Sequence, residues 1–245
     1  VSATETEIGV SADTQAAQIV IDDPVNTWTT RTSWTVGDLI ALARNGSHVV
    51  AAGHGVFLRS SDGSSWTSHT PGGVLNVTIN DIAWTGSEFI AVGQDFDFDI
   101  NSWVVVIFTS PDGDTWTKDF STAVVPGGSS LQSTGLNGVA SNPDGSQVVA
   151  VGDAGMIYKR IDGGDWTLVD LGIDTNTLLG GIVYGGGVFV LGGYQFGAGG
   201  GLALFNTLDT VNWANLKDNS DLMPWWGLDE IAFFNDFFIG SGFFS

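Results

Sequence analysis

A repeated Asp–Trp pair constrains the fold of this 245-residue chain more than any other feature. An Asp is followed four residues later by a Trp at four places, and the Trp residues are 50, 50 and 47 positions apart. The pairs are Asp62 and Trp66, Asp112 and Trp116, Asp162 and Trp166, and Asp209 and Trp213. A looser copy, with Asp22, Asp23 and Trp28, lies near the N-terminus. Such a period predicts a repeat architecture.

Short apolar runs between successive Asp–Trp pairs predict strands. Each repeat has a first run, a second run that ends in Gly, a third run before the Asp and a fourth that begins at the Trp. The runs are rich in β-branched and aromatic residues and are separated by Gly, Asn and Asp, which favours strands over helices. No stretch of ten or more residues is convincingly helical. Four short antiparallel strands per repeat predict the blade of a β-propeller.

The two ends of the chain predict how the ring of blades closes. Residues 231–234 and 237–243 supply a first and second strand, whereas 17–22 and 26–32 supply a third and fourth. Joining them would remove two exposed sheet edges. We therefore predict an all-β fold over residues 17–245, a five-bladed β-propeller with four antiparallel strands per blade and a closing blade shared between the N- and C-termini. A linear solenoid with atypical caps is the alternative.

The N-terminal residues 1–16 are polar and weakly patterned. We predict that they form either a disordered tail or an arm that docks on a neighbouring molecule.

Charge and composition exclude several classes of function. The chain has 27 acidic and 7 basic residues, which gives a net charge of −20. Nucleic-acid binding requires a basic stripe, and an anionic membrane would repel this surface. No apolar run approaches the ~18 residues of a membrane span. Because the chain has no Cys and three His, it lacks disulfides, thiol nucleophiles and a His-rich metal site. The absence of Cys and the small number of Lys favour an extracellular location.

The residues around the repeated Asp resemble the Asp-box of the sialidase-like, or BNR, propellers. The clearest copies are Ser61-Asp62-Gly63-Ser64-Ser65-Trp66 and Ser110-Pro111-Asp112-Gly113-Asp114-Thr115-Trp116. Asp-Gly favours a tight hairpin turn, since Gly tolerates positive φ. We expect the Asp to accept backbone N–H groups and the Trp to pack between sheets. The resemblance therefore implies structural roles for Asp62, Trp66, Asp112, Trp116, Asp162, Trp166, Asp209 and Trp213.

Sialidase activity is not expected from the same resemblance. Sialidases that share the box bind a substrate carboxylate with three Arg and use a Tyr–Glu pair as nucleophile. This chain has four Arg, and Arg59 and Arg160 lie in the strand before the box, towards the outer side of a blade. No pair of carboxylates is singled out by its spacing for glycoside hydrolysis. We predict no catalytic residues and a non-enzymatic protein.

A run of alternating carboxylates is the most distinctive local motif. Asp95, Asp97 and Asp99 resemble the opening of a calcium loop, whose ligands are hard oxygens. An EF-hand requires Gly and Glu where this chain has Ile100 and Val106. We expect an extended hairpin with the three Asp on one face, and Ca²⁺ binding is a weak alternative. No other cofactor is predicted.

Aromatic residues in predicted loops are the candidate ligand-binding groups. Trp225 and Trp226 lie between the fourth and fifth blades, Trp103 lies in the second-blade insertion, and Tyr194 lies in a Gly-rich loop over 192–201. Exposed aromatic rings stack on sugar faces, so we predict a glycan-binding platform. Core packing and an interface with another subunit are the alternatives. The Gly-rich loop lacks the strand–helix context of a phosphate cradle.

These features together favour a non-enzymatic extracellular propeller that decorates a surface or binds glycans. The compact repeats are similar to those of phage and bacterial surface proteins, which implies a component of a virion or cell-surface appendage. The expected partners are other subunits of that assembly and glycans, with no nucleic acid and no membrane insertion. A sialidase-like glycoside hydrolase is the alternative. A lesser one is an assembly factor that resembles the photosystem assembly propellers.

Overall fold

The computed structural model describes residues 8–11, 18–23, 27–32, 37–69, 77–123, 135–197, 200–216 and 226–244, and for those before residue 33 it gives the backbone alone. The first three strands form an N-terminal sheet, in the order in which they occur. They are β1 (Ile8–Ser11), β2 (Gln18–Asp23) and β3 (Thr27–Thr32).

Four sheets of four antiparallel strands follow one another along the chain. The first comprises β4 (Leu39–Arg44), β5 (Val49–Gly53), β6 (Phe57–Ser60) and β7 (Thr67–His69). The second comprises β8 (Thr78–Trp84), β9 (Phe89–Asp97), β10 (Ser102–Ser110) and β11 (Thr117–Ala123). The third comprises β12 (Leu136–Ser141), β13 (Gln147–Gly152), β14 (Ile157–Ile161) and β15 (Thr167–Leu168). The fourth comprises β16 (Thr177–Gly185), β17 (Val188–Gln195), β18 (Gly201–Thr207) and β19 (Trp213–Asn215).

The chain ends in a sheet of two strands, β20 (Trp226–Phe234) and β21 (Phe237–Phe244). The predicted strands of the four complete repeats and of this last pair are thus confirmed. The one helical element of the described residues is a 3-10 turn at Asp153–Gly155. None of the helical structure described could therefore span a membrane.

The predicted pairing between the two ends of the chain is not formed. The edge of β2 that should receive β21 is occupied by β1, with Val10 opposite Ile19, and β21 pairs only with β20 among the described strands. The sequence interpretation missed β1, because four residues inside a polar segment give little periodic signal. Residues 1–16 were expected to lie outside the fold as a tail or docking arm, yet Ile8–Ser11 pairs within the chain.

Most of the hydrophobic core lies between successive complete sheets, and one smaller cluster lies within the first sheet alone. One cluster joins the first and second sheets around Phe57, Phe89 and Phe108, which are nearly inaccessible to solvent. A second cluster joins the second and third sheets, and a third joins the third and fourth. Each sheet therefore buries both faces, which accounts for the continuous apolar runs of the second strands.

A β-bulge recurs at the same place in the first strand of five sheets. It leaves one residue without a partner on the second strand. The bulge residues are Ile40, Asn80, Asn137, Gly180 and Asp229. A Gly stands opposite the residue that precedes each bulge, at Gly53, Gly93, Gly152, Gly193 and Gly242.

Close backbone approach explains why this position is always Gly. A Cβ on Gly93 would lie 1.9 Å from the carbonyl oxygen of Thr78, and the other four positions are equally crowded. The recurring Gly of the sequence therefore belongs to the bulge and not to a turn.

Candidate functional site

The first strands of neighbouring sheets lie side by side and run in the same direction. Asn80 Nδ2 donates to the Leu136 carbonyl at 2.9 Å, and the Val139 N–H donates to Asp81 Oδ2 at 2.8 Å. The matching link from Asn137 Nδ2 to the Leu179 carbonyl is 3.1 Å. Equivalent residues are therefore aligned from sheet to sheet, and the same end of each sheet faces the same way.

The two ends of the sheets carry different structural features. The end at which each first strand begins also holds the bulges and the hairpins between second and third strands, and we call it the bulge end. The opposite end holds the hairpins between third and fourth strands, where the repeated Asp–Trp segments lie. We call these segments boxes and this end the box end. Candidate binding residues and boxes are thus on opposite ends of the molecule.

An aromatic hairpin projects from the second sheet at the bulge end. β9 is nine residues long, against five for β5, and its extra residues include Phe96, while Phe98 lies in the turn that follows. The Phe96 ring packs against Phe98 and Trp103 with centroids 5.1 and 5.3 Å away. Trp103 is 41% exposed and Phe98 is 72% exposed. The tip therefore presents an ordered apolar surface to solvent.

A second aromatic pair lies at the bulge end of the fourth sheet. Tyr194, near the end of β17, packs edge-to-face against Phe196 at 4.8 Å. Phe196 is 39% exposed. The structure thus places Trp103 and Tyr194, two of the predicted glycan-binding residues, at the same end of the molecule but on different sheets.

The Trp225–Trp226 prediction falls largely outside the described residues. Trp225 is outside them, and Trp226 is described by its backbone alone, as the first residue of β20. That position is again at the bulge end, where Trp226 pairs with Phe244.

The three alternating carboxylates do not converge. Asp95 is nearly buried and its Oδ2 lies 2.9 Å from Lys118 Nζ, while Asp97 Oδ1 accepts the Asp99 and Ile100 N–H groups at the turn. Asp99 lies in the turn, so the predicted alternation stops at Asp97. Within the described residues no three His, Asp or Glu side chains could hold a metal ion. The hairpin is confirmed, and the Asp97 carboxylate stabilises its turn.

Two carboxyl groups on first strands have raised pKa values. Burial raises the pKa of Asp81 to about 7, against hydrogen bonds from the Val139 and Ile82 N–H groups that lower it. Burial also raises the pKa of Glu230, helped by the charge of neighbouring Asp229. Both residues immediately follow a bulge, and the Glu230 charge contributes to the Asp81 shift. The chain thus holds two weakly acidic carboxyl groups at the bulge end.

The sequence interpretation missed the polar residues at the bulges, such as Asn137. Asn137 Nδ2 also donates to Asp153 Oδ1 at 2.8 Å, and the other oxygen of Asp153 accepts the Gly135 N–H at 3.0 Å. The recurring Gly was the one sequence signal for the bulges. In each sheet the bulge residue directly follows the residue that pairs with that Gly.

The repeated Asp residues brace hairpins, as predicted, in three of the four complete sheets. Asp62 Oδ1 accepts the Ser64 and Ser65 N–H groups at 2.7 Å each, and Asp112 and Asp209 do the same in the second and fourth sheets. These bonds hold the pKa of Asp62 at about 2 and lower those of Asp112 and Asp209. The Trp116 ring stacks on Phe57 of the preceding sheet at 4.1 Å, so this Trp packs between sheets.

The third box is a correction to the prediction. Asp162 adopts a left-handed φ of 48°, and its carboxylate accepts no hydrogen bond from any described residue. Trp166 still packs between the second and third sheets, where its Nε1 donates to Asp119 Oδ2 at 2.9 Å. Asp162 is therefore a turn residue and not a brace.

The Arg side chains that the structure describes do not form a carboxylate-binding triad. Arg160 pairs with Glu88 and with Asp119, and Arg59 Nη1 lies 3.1 Å from Asp114 Oδ2. These pairs join neighbouring sheets near the box end. Both residues lie in the strand before the repeated Asp, β6 for Arg59 and β14 for Arg160, as the sequence predicted.

Comparison with known proteins identifies the fold but no family. No family model and no curated protein matches the chain. Among solved structures, a chain from the crystal structure of the nidogen/laminin complex is similar, with a TM-score of 0.59 and 13% identity. The alignment covers 97% of this chain and 86% of that one. Together with the successive antiparallel sheets, this likeness shows that the chain folds as a β-propeller.

Proposed function

We propose that this protein is a non-enzymatic binding and structural propeller on the outside of a virion or cell-surface appendage. Its bulge end binds glycans through Trp103, Tyr194, Trp225 and Trp226. The exposed indole of Trp103 is the observation that carries the proposal, because Phe96 packs edge-on against it and limits its motion. A ring already held in place loses little conformational entropy when a ligand stacks on it.

Charge points to neutral sugars rather than acidic ones. The chain carries a net charge of −20, and Asp99 and Asp229 are exposed at the bulge end. Acidic glycans would meet like charges there. Arg59 and Arg160, which could offset this charge, are paired with carboxylates at the box end.

Protein partners are part of the same proposal. Exposed Phe98 and Ile100 extend the apolar surface of the hairpin beyond what a sugar ring covers. The similar propeller chain comes from a structure of a complex between two proteins, nidogen and laminin. We propose that this chain packs against other subunits of a virion or appendage.

A glycoside hydrolase is the second candidate, favoured by the carboxyl groups of Asp81 and Glu230. A general acid needs a raised pKa, and Asp81 has one of about 7. However, both Asp81 oxygens already accept backbone N–H groups, which suits a structural role. If the protein is a hydrolase, Asp81→Asn and Glu230→Gln will each abolish release of sugar from a neutral oligosaccharide.

The five-bladed ring also belongs to the proposal. Five sheets share the bulge and its Gly, and the two-stranded C-terminal sheet is one of them. The N-terminal sheet pairs without a bulge. This pattern supports four complete blades and a fifth that β20 and β21 begin.

A glycan array of neutral and acidic sugars tests the binding function. We expect neutral glycans to be retained, and Trp103→Ala to weaken the strongest by about tenfold, or about 1.4 kcal/mol. Leu168→Ala, at an exposed apolar residue of the third sheet, is the matched control and should bind as the wild type does. Equal binding by Trp103→Ala and wild type would contradict the role of this hairpin.

A further inference from the structure

The C-terminal sheet is built like the first half of a blade. Its bulge at Asp229 and its Gly242 match those of the four complete sheets. In each complete sheet the second strand pairs on its outer side with a third strand, and for β21 no described strand does so. β21 therefore has the features of an inner strand but stands at an edge.

The exposure of side chains in β21 also indicates that the C-terminal sheet is incomplete. Ile239 stands three residues before Gly242, as Ile90 stands three before Gly93, yet Ile239 is 56% exposed and Ile90 is fully buried. Phe237 is 70% exposed. No charged residue lies anywhere in β21, so nothing on this edge protects it from pairing with another strand.

The N-terminal sheet contains the two strands that the C-terminal sheet lacks. β2 and β3 form a hairpin that spans the loose Asp–Trp copy, as the third and fourth strands of each complete sheet span their box. Six residues, 33–38, separate β3 from β4, and eight residues separate β7 from β8. The β2–β3 hairpin can therefore precede the first complete sheet as a fourth strand does.

β1 occupies the edge of β2 that a second strand would fill. It is four residues long and lies beside β4, as the second strands β5, β13 and β17 lie beside the first strand of the following sheet. β21 is eight residues long and would bury Phe237 and Ile239 on joining β2. Both strands need the same row of β2 backbone groups, so they exclude each other.

We propose that β1 and β21 exchange at the edge of β2, so that β1 is a displaceable strand that holds the ring open until β21 closes it. This inference rests on the five-bladed ring proposed above and is independent of glycan binding.

Engineered disulfides test the exchange, and the natural absence of Cys makes them unambiguous. The pair Val10→Cys with Ile19→Cys reports β1 on β2, because these residues are opposite each other. In the complete sheets Ile90 pairs with Thr109, three residues before the box Asp. By that register Ile239→Cys reports β21 on β2 when combined with Ile19→Cys, counting from Asp22, or with Val20→Cys, counting from Asp23.

Mild oxidation followed by mass analysis of the monomer should show both kinds of disulfide in separate variants. Adding Val10→Pro, which removes a ladder donor from β1, should raise the yield of the Ile239 disulfide severalfold. Leu168→Cys with Ile239→Cys is the control and should not form a disulfide. A disulfide from Val10 alone would show that β21 never reaches β2, and one from Ile239 alone would show that β1 never holds that edge. Disulfides only between two molecules would assign the edge to a second copy. Each of these three results overturns the proposal, and glycan binding can survive any of them.

Discussion

The second and third complete sheets close equivalent hairpins by different means. In the second, the Ser110 hydroxyl accepts the Gly113 N–H at 2.8 Å and donates to Asp112 Oδ1 at 3.1 Å. In the third, Arg160 occupies the place of Ser110 and cannot accept a hydrogen bond. The chain there forms a tighter turn, with Gly164 N–H bonded to the Ile161 carbonyl at 2.9 Å.

The position two residues before the box Asp has a different role in the third sheet, where Arg160 occupies it. Its guanidinium pairs with Glu88 and Asp119 of the second sheet and lies 5.4 Å from the centre of the Trp166 ring. Ser110 braces its own turn, whereas Arg160 joins two sheets. The third sheet therefore lacks the hydroxyl brace within its hairpin and has a contact between blades instead.

Removing Arg160 should have the largest effect. Arg160→Ala leaves Glu88 and Asp119 without their cation, and because these carboxylates are partly exposed we expect a loss of about 3 kcal/mol in the free energy of unfolding. Chemical denaturation measures it. Arg44→Ala, at an exposed residue, is the control and should change stability little. A cost below that of Ser110→Ala would show that the contact between blades is weaker than the brace within the turn.

The strands could be predicted from the sequence, and the contacts between blades could not. Alternating or continuous apolar runs between turn residues give a local signal for each strand. The place of Arg160 against Glu88 has no such signal, because the two residues are 72 positions apart. Composition and spacing do not reveal which distant side chains meet.

The candidate site shows the same division. Trp103 could be selected as a candidate from the sequence because an aromatic residue in a predicted insertion is conspicuous. The bulge residues could not be recognised from the sequence, since Ile40, Asn80, Gly180 and Asp229 share no side-chain property. Their common feature is a backbone irregularity, and only the Gly on the opposite strand records it.

Alanine at the turn Gly should separate the two hairpins next. A Cβ on Gly113 would lie 2.6 Å from Val50 Cγ2, whereas a Cβ on Gly163 would meet nothing within 4 Å. Both Gly have positive φ, which costs Ala about 1 kcal/mol. We therefore expect Gly113→Ala to cost about 2 kcal/mol and Gly163→Ala about 1 kcal/mol by thermal unfolding. Equal costs would show that the second box is not packed against the first sheet.

Loss of the bracing hydroxyl should follow. Ser110→Ala leaves the buried Gly113 N–H without its acceptor, and we expect a loss of about 1.5 kcal/mol by chemical denaturation. Arg160→Ser is the reciprocal change. It should not recover the stability lost in Arg160→Ala, because Asp162 is held in a left-handed conformation that does not present its carboxylate to the turn. Recovery would mean that the hydroxyl alone specifies the brace.

The smallest effect expected is a pH dependence at the first box. The Ser65 and Ser64 N–H groups lower the pKa of Asp62 from 3.8 to about 2, so the folded state binds this proton less readily than the unfolded state does. Its stabilisation is therefore complete above about pH 4 and is lost as the pH falls towards 2. Asn in place of Asp62 keeps one acceptor oxygen but not the charge, so Asp62→Asn should lower the melting temperature slightly at pH 6. The difference from wild type should shrink as the pH falls from 4 to 2.

Asp162→Asn is the matched variant of the third box and should change the melting temperature less at pH 6, because its carboxylate bonds to no described residue. A difference between Asp62→Asn and wild type that stays constant across this range would show that the brace depends on hydrogen-bond geometry and not on charge.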